Sequence, residues 1–122
     1  STLFPYTTLF RSPYSFTAHG SMRFGNSAPL VGPREIEDSL RDFFSSITLM
    51  KHRPVRIWEI GDESIFEAVV TYGRPDGTTV QIPAVTAYTR SGNAISSCRI
   101  YCDMTPVFAR SQAGDAAAQH RA

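Results

Sequence analysis

The chain has 122 residues, 42% hydrophobic and 19% charged, which suits one compact domain and leaves little room for two. A net charge of +1 and two cysteines put neither a nucleic-acid-binding surface nor a disulfide-stapled scaffold into the bulk composition. The average hides a skew: the first acidic residue is Glu35, so Arg11, Arg23 and Arg34 stand unopposed before it, and six of the fourteen aromatic residues lie in residues 1–24.

Ser1 to Ser12, STLFPYTTLFRS, has neither a helical stripe nor a clean alternation, and Pro5 interrupts any strand. Its basic residue comes last and it has no long apolar core, so it does not read as a signal peptide. No window approaches the roughly 18 apolar residues of a membrane span. The stretch closely resembles the translation of a sequencing adapter, of the kind found at the edges of metagenomic, largely bacterial, gene sequences. On that reading the native chain starts near Pro13 and lacks its own N-terminus. The alternative is a hydrophobic arm packed on the domain.

Ser15 to Phe24 reads as a short strand. Pro33 to Thr48 is the convincing helix, with Ile36, Leu40, Phe43, Phe44 and Ile47 on one face. Pro33 suits its first turn, and Glu35, Glu37 and Asp38 suit the positive end of its dipole. The pattern then changes to period two. Strands are expected at Arg53–Ile60, Ser64–Tyr72, Thr78–Arg90 and Ala94–Asp103, separated by turns at Gly61-Asp62, Arg74–Gly77 and Ser91–Asn93. This predicts a strand, a helix and a four-stranded antiparallel meander. Ser111 to Ala122 is Ala/Gln/Gly-rich without an apolar stripe and reads as a disordered tail.

Alternation sorts the faces. Phe66, Ala68, Val70 and Tyr72 share one side of their strand; Val80, Ile82, Ala84, Thr86 and Tyr88 share another; Cys98, Ile100 and Cys102 oppose Arg99, Tyr101 and Asp103. Such a set suits the floor of a small-molecule cavity, and it suits an ordinary core at least as well. Cys98 and Cys102 lie roughly 13 Å apart at about 3.3 Å per residue, too far to bridge, and read as core residues of a reducing, cytoplasmic protein. One histidine in the domain and no clustered ligands predict no metal site, and the turn glycines form no phosphate loop.

Taken together, Phe24-Gly25-Asn26, Val31-Gly32, Ile36, His52, Trp58, Gly61-Asp62, Glu67, Val70, Tyr72, Asp76-Gly77, Ile82-Pro83, Arg99-Ile100-Tyr101, Asp103 and Pro106 resemble a SnoaL-like domain, a branch of the nuclear-transport-factor-2-like (NTF2-like) superfamily. The resemblance covers about residues 20–108. It implies an α+β fold, a cone-shaped roll in which a curved antiparallel sheet packs on helices around a pocket. The convex face of such a sheet often makes a homodimer. The helix that usually precedes the first strand is truncated here or replaced by residues 1–19. The division is then an atypical or foreign segment at 1–19, the domain at 20–109 and the tail at 110–122.

The resemblance implies a pocket for a small apolar molecule of polyketide or terpenoid type. It also implies, if the domain is catalytic, acid–base chemistry of isomerase, cyclase or hydrolase type without a cofactor. The alternative is a non-catalytic ligand-binding or dimerisation domain. Limonene-epoxide-hydrolase chemistry is disfavoured, because the triad positions fall at Ala68, Val70 and Ile100, none of which can move a proton. Ketosteroid-isomerase chemistry lacks a carboxylate near Phe24–Asn26 and has Thr86 where an acid is needed.

Candidate catalytic groups are His52, Asn26, Tyr88 and Asp103, each with a plain structural role open beside the chemical one. Candidate ligand-binding residues are Phe24, Trp58, Phe66, Ala68, Val70, Tyr72, Ile82, Ala84, Thr86, Cys98 and Ile100. The expected partners are a small apolar molecule and a second copy of the chain, with no nucleic acid and no membrane.

Overall fold

The computed structural model describes residues 15–109. In chain order they form strand β1 (Phe16–Phe24), the two-residue strand β2 (Leu30–Val31), helix α1 (Pro33–Ser45), strands β3 (Leu49–Ile60), β4 (Glu63–Gly73), β5 (Thr79–Ser91) and β6 (Ala94–Tyr101), and a 3-10 helix at Thr105–Phe108. The expectations for Ser1 to Ser12 and for the C-terminal tail lie outside the described residues. β1 opens at Phe16, so residues 16–19 of the segment expected to be atypical are part of the sheet.

All six strands join one sheet in the order β2-β1-β6-β5-β4-β3. β3 to β6 form the expected antiparallel meander. The sheet as a whole is mixed, not antiparallel, because β1 runs parallel to β6, with Met22 opposite Cys98 and Phe24 opposite Ile100. A parallel pair needs a long crossover, and here α1 and the rest of the meander supply it. β2 is the other unforeseen piece, a two-residue return of the chain against Ser21 and Met22.

Gly32 sits at the N-cap of α1 with φ 92°, a backbone conformation that favours glycine. The Glu35 carboxylate reaches back and accepts from the Val31 N–H at 3.1 Å. The helix ends at Ser45, three residues before the expected end. The Ser45 and Ser46 hydroxyls donate to the carbonyls of Asp42 and Phe43, both at 2.6 Å, and Thr48 N–H turns away to Gly73 O at 2.9 Å. Such local bonds offer the backbone an alternative to the helical ladder. β3 accordingly starts four residues earlier than expected, with Leu49 packed tightly on Gly73. A Cβ at Gly73 would stand 2.9 Å from Leu49 Cβ.

The register joins the alternating sets into rows on the concave face. Phe66, Thr86, Ile100 and Phe24 lie side by side, as do Ser64, Tyr88, Cys98 and Met22. These residues, with Ala68, Val70, Tyr72, Ile82 and Ala84, are buried, Phe24 being half-buried. α1 lies across this face: the Phe43 ring is 5.9 Å from Phe24 on β1 and 5.9 Å from Tyr72 on β4.

Candidate functional site

A cavity of about 270 Å³ remains between α1, β1, β2 and the chain around the 3-10 helix. Its wall is apolar, made by Met22, Phe24, Leu30, Leu40, Phe43, Met104 and Phe108, with Ser27, Ala28 and Ser39 completing it. Phe24, Ser27, Met104 and Phe108 also line an adjoining outer cleft, whose remaining border is Gly25, Asn26, Cys102, Asp103 and Thr105. The two spaces therefore adjoin, the first walled mostly by apolar side chains and the second bordered by more polar ones.

Each part is placed by a specific local feature. Leu40 and Phe43 belong to the apolar stripe of α1. Met22 and Phe24 point inward from β1, in register with Cys98 and Ile100. Gly25, at φ 56°, turns the chain out of β1 and donates to Ile100 O at 2.8 Å. Asp103 follows β6; its Oδ1 accepts from Thr105 N–H at 3.0 Å and starts the 3-10 helix. The Thr105 side chain and backbone bonds hold the Asp103 carboxyl below its ordinary range, so it is anionic at neutral pH.

The structure brings together only part of the expected site. Phe24 lines the cavity, and Asn26 and Asp103 border the outer cleft. Phe66, Ala68, Val70, Tyr72, Ile82, Ala84, Thr86, Cys98 and Ile100 share the concave face but belong to the packed core beneath α1, and they line neither space. Tyr88 is buried in the same core. His52 is half-buried on the concave side of β3, opposite Val70, and lines neither space. Trp58 does not join them. A register shift between Pro54 and Arg56 reverses the parity of β3, so Trp58 pairs with Ile65 on the convex face while His52 stays inside. There Trp58 is 41% exposed, with the Arg56 guanidinium 5.5 Å from its ring centroid.

Met22, Leu30, Leu40, Phe43, Met104 and Phe108 were not among the expected ligand-binding residues. Leu40 and Phe43 were readable as the inward face of a helix. Phe108 and Met104 carried no periodic signal, because they sit in irregular chain around Pro106.

Ala68, Val70 and Ile100, where the resemblance puts the epoxide-hydrolase triad, are buried apolar residues that cannot exchange protons. Burial pushes the Tyr72 hydroxyl above its usual range, with Cys102 adding to the effect. Burial likewise pushes the Cys98 thiol up to about 12, and burial with the nearby Asp103 charge pushes Cys102 up to about 11. Both thiols are free and are held as neutral packing groups. Among the described residues no group of three His, Cys, Asp or Glu side chains is placed to hold a metal ion. No described helix is long and apolar enough to cross a membrane.

Thr86 is fully buried, at 0% exposure, and its Oγ1 has no hydrogen-bond partner among the described residues. An unpaired buried hydroxyl is costly, and valine has nearly its shape. Thr86→Val is expected to raise stability by about 1 kcal/mol, read from the urea midpoint. A loss of stability would show that the hydroxyl is bonded in solution.

No protein-family profile matches the sequence, and no curated protein matches it. Solved structures do. A Jannaschia protein assigned as a SnoaL-like polyketide cyclase is 16% identical, over 89% of this chain and 92% of that one, with a TM-score of 0.74. A protein with a ketosteroid isomerase-like fold from Catenulispora acidiphila, in complex with trimethylamine, is 20% identical over 86% of each chain, with a TM-score of 0.73. An NTF2-like protein of unknown function from Burkholderia pseudomallei is 12% identical, over 88% of this chain and 91% of that one, with a TM-score of 0.74. What is shared at such identities is the fold.

Proposed function

We propose, from the premise that this chain folds as an NTF2-like α+β cone, that it is a SnoaL-like pocket domain binding a small apolar molecule of polyketide or terpenoid type. The observation that carries the reading is the cavity of about 270 Å³, walled by three phenylalanines, two methionines and two leucines and adjoining a more polar cleft. An apolar body would enter the interior, and any polar group would meet Ser27, Ser39, Asn26 or Asp103. Of the four candidate catalytic groups, Asn26 and Asp103 border the outer cleft, so in cofactor-free acid–base chemistry Asp103 would carry the proton and Asn26 would hold a water or a polar group of the ligand. The polyketide-cyclase assignment of the Jannaschia protein, which shares this fold, is what suggests a ligand of this class.

The test is a thermal-shift screen of neutral one- and two-ring compounds against the protein and its Ser39→Phe variant, in which the added ring fills the cavity. Binding is expected to raise Tm by about 10 °C at a ligand concentration of about 100 Kd, and Ser39→Phe is expected to abolish the rise. Equal shifts in both proteins would place binding elsewhere and overturn the reading.

The same fold reading proposes a homodimer through the convex face. Trp58, Ile65 and Ala87 form a row there, and Trp58 and Ile65 are 41% exposed and Tyr101 57%. Sedimentation velocity is expected to give a dimer, and Trp58→Glu a monomer with an intact cavity. A monomeric wild type at about 100 µM, tight enough to populate any dimer of micromolar affinity, would refute it.

A further inference from the structure

We infer that the ligand of this cavity is an organic cation, with an aromatic or branched alkyl body in the interior and a protonated or quaternary amine at the Asp103 mouth. The inference rests on the pocket reading above and adds the charge of the ligand. Two independent features meet here. The first is the wall. Phe24, Phe43 and Phe108 all line the cavity, with Phe43 5.9 Å from Phe24 and 6.4 Å, edge-on, from Phe108. Aromatic faces attract a cation through their quadrupole, most strongly where water is displaced. Met22 and Met104 add polarizable sulfur to the same wall.

The second feature is charge. Among the described residues that line the cavity and the outer cleft, Asp103 is the only charged one, and no described Lys, Arg or His borders either space. Asp103 makes no ion pair among the described residues. Four residues, Phe24, Ser27, Met104 and Phe108, line both spaces, so the cleft that Asp103 borders adjoins the cavity, and the head group is assigned to that cleft. An anionic ligand would meet the same carboxylate with nothing to offset it. The interior, at about 270 Å³, exceeds the roughly 150 Å³ known to accept a benzene ring, leaving room for one ring and its link to the head group.

The test compares benzyltrimethylammonium with neopentylbenzene, its neutral isostere, by chemical-shift titration of the 13C-labelled Met104 methyl. The cation is expected to bind about tenfold tighter than the isostere. Asp103→Asn keeps an oxygen to accept from Thr105 N–H, so the turn survives, and it is expected to reduce that preference to about threefold, the part supplied by the aromatic wall. Equal or tighter binding of the neutral compound would overturn the inference while leaving the pocket reading standing. A preference unchanged in Asp103→Asn would overturn the role of the carboxylate. Binding of neither compound would remove the pocket reading and this inference with it.

Discussion

Arg74→Ala is expected to lower the unfolding free energy by about 3 kcal/mol, seen as a reduced urea midpoint with an unchanged slope. Arg74 is only 5% exposed, and it joins two parts of the chain that no strand pairing connects. Its Nε and Nη2 both donate to Pro106 O, at 3.2 and 2.5 Å, and its Nη1 donates to Thr78 Oγ1 at 3.0 Å. Its own carbonyl accepts from Thr48 Oγ1 at 3.3 Å, and its N–H donates to Thr78 O at 2.8 Å. Asp76 Oδ1 in turn accepts from Thr78 N–H at 2.9 Å, which fixes the turn between β4 and β5. The guanidinium thus pins the 3-10 helix, and with it Phe108, to that turn.

Removing it leaves a partly buried carbonyl and hydroxyl without their charged donor, the costly side of hydrogen-bond accounting. Arg74→Met retains most of the side-chain volume but none of the bonds. It is expected to lose about 2 kcal/mol, so the bonds outweigh the packing. Near-wild-type stability in both variants would show that the 3-10 helix needs no such clamp.

Phe43→Ala is expected to cost about 3 kcal/mol and to abolish ligand binding. Phe43 is the hub of the ring cluster, at 5.8 Å from Phe44, 5.9 Å from Phe24 and Tyr72, and 6.4 Å from Phe108. Truncation removes the packing that holds α1 across the concave face and opens the cavity wall at the same position. Phe43→Leu keeps an apolar wall and is expected to lose only about 1 kcal/mol while weakening binding. Chemical denaturation measures the first effect and thermal shift with a bound compound the second. A Phe43→Ala protein that binds as the wild type does would separate the cavity from the site.

What the sequence made legible depended on periodicity. The meander was readable because each strand alternates and each turn carries Gly, Pro, Asn or Asp at the needed place. The inward set from Phe66 to Ile100 was also readable, but alternation marks a buried face without saying whether the face is core or cavity. Here the helix stripe fills the space above it, so those residues became core. Trp58 was misplaced because one extra residue in β3 reverses every side chain beyond it, and a bulge leaves no mark in a pattern of alternation. β2, Met104 and Phe108 were invisible for a related reason: a two-residue strand and a 3-10 turn are too short to show a period. The parallel pairing of β1 with β6 is a property of topology, which no local pattern in Phe16–Phe24 encodes.

On the proposed reading a small molecule enters the space between α1 and β1. The chain has three methionines, and Met22 and Met104 line that space while Met50 lies on β3, outside it. A 13C-methyl-methionine spectrum recorded on adding 1-naphthol, a neutral two-ring probe, therefore reports occupancy at two positions against an internal control. The Met22 and Met104 methyl resonances are expected to shift together and saturate with one binding constant while Met50 stays in place. Movement of Met50 alone, or of none of the three at saturating probe, would contradict it.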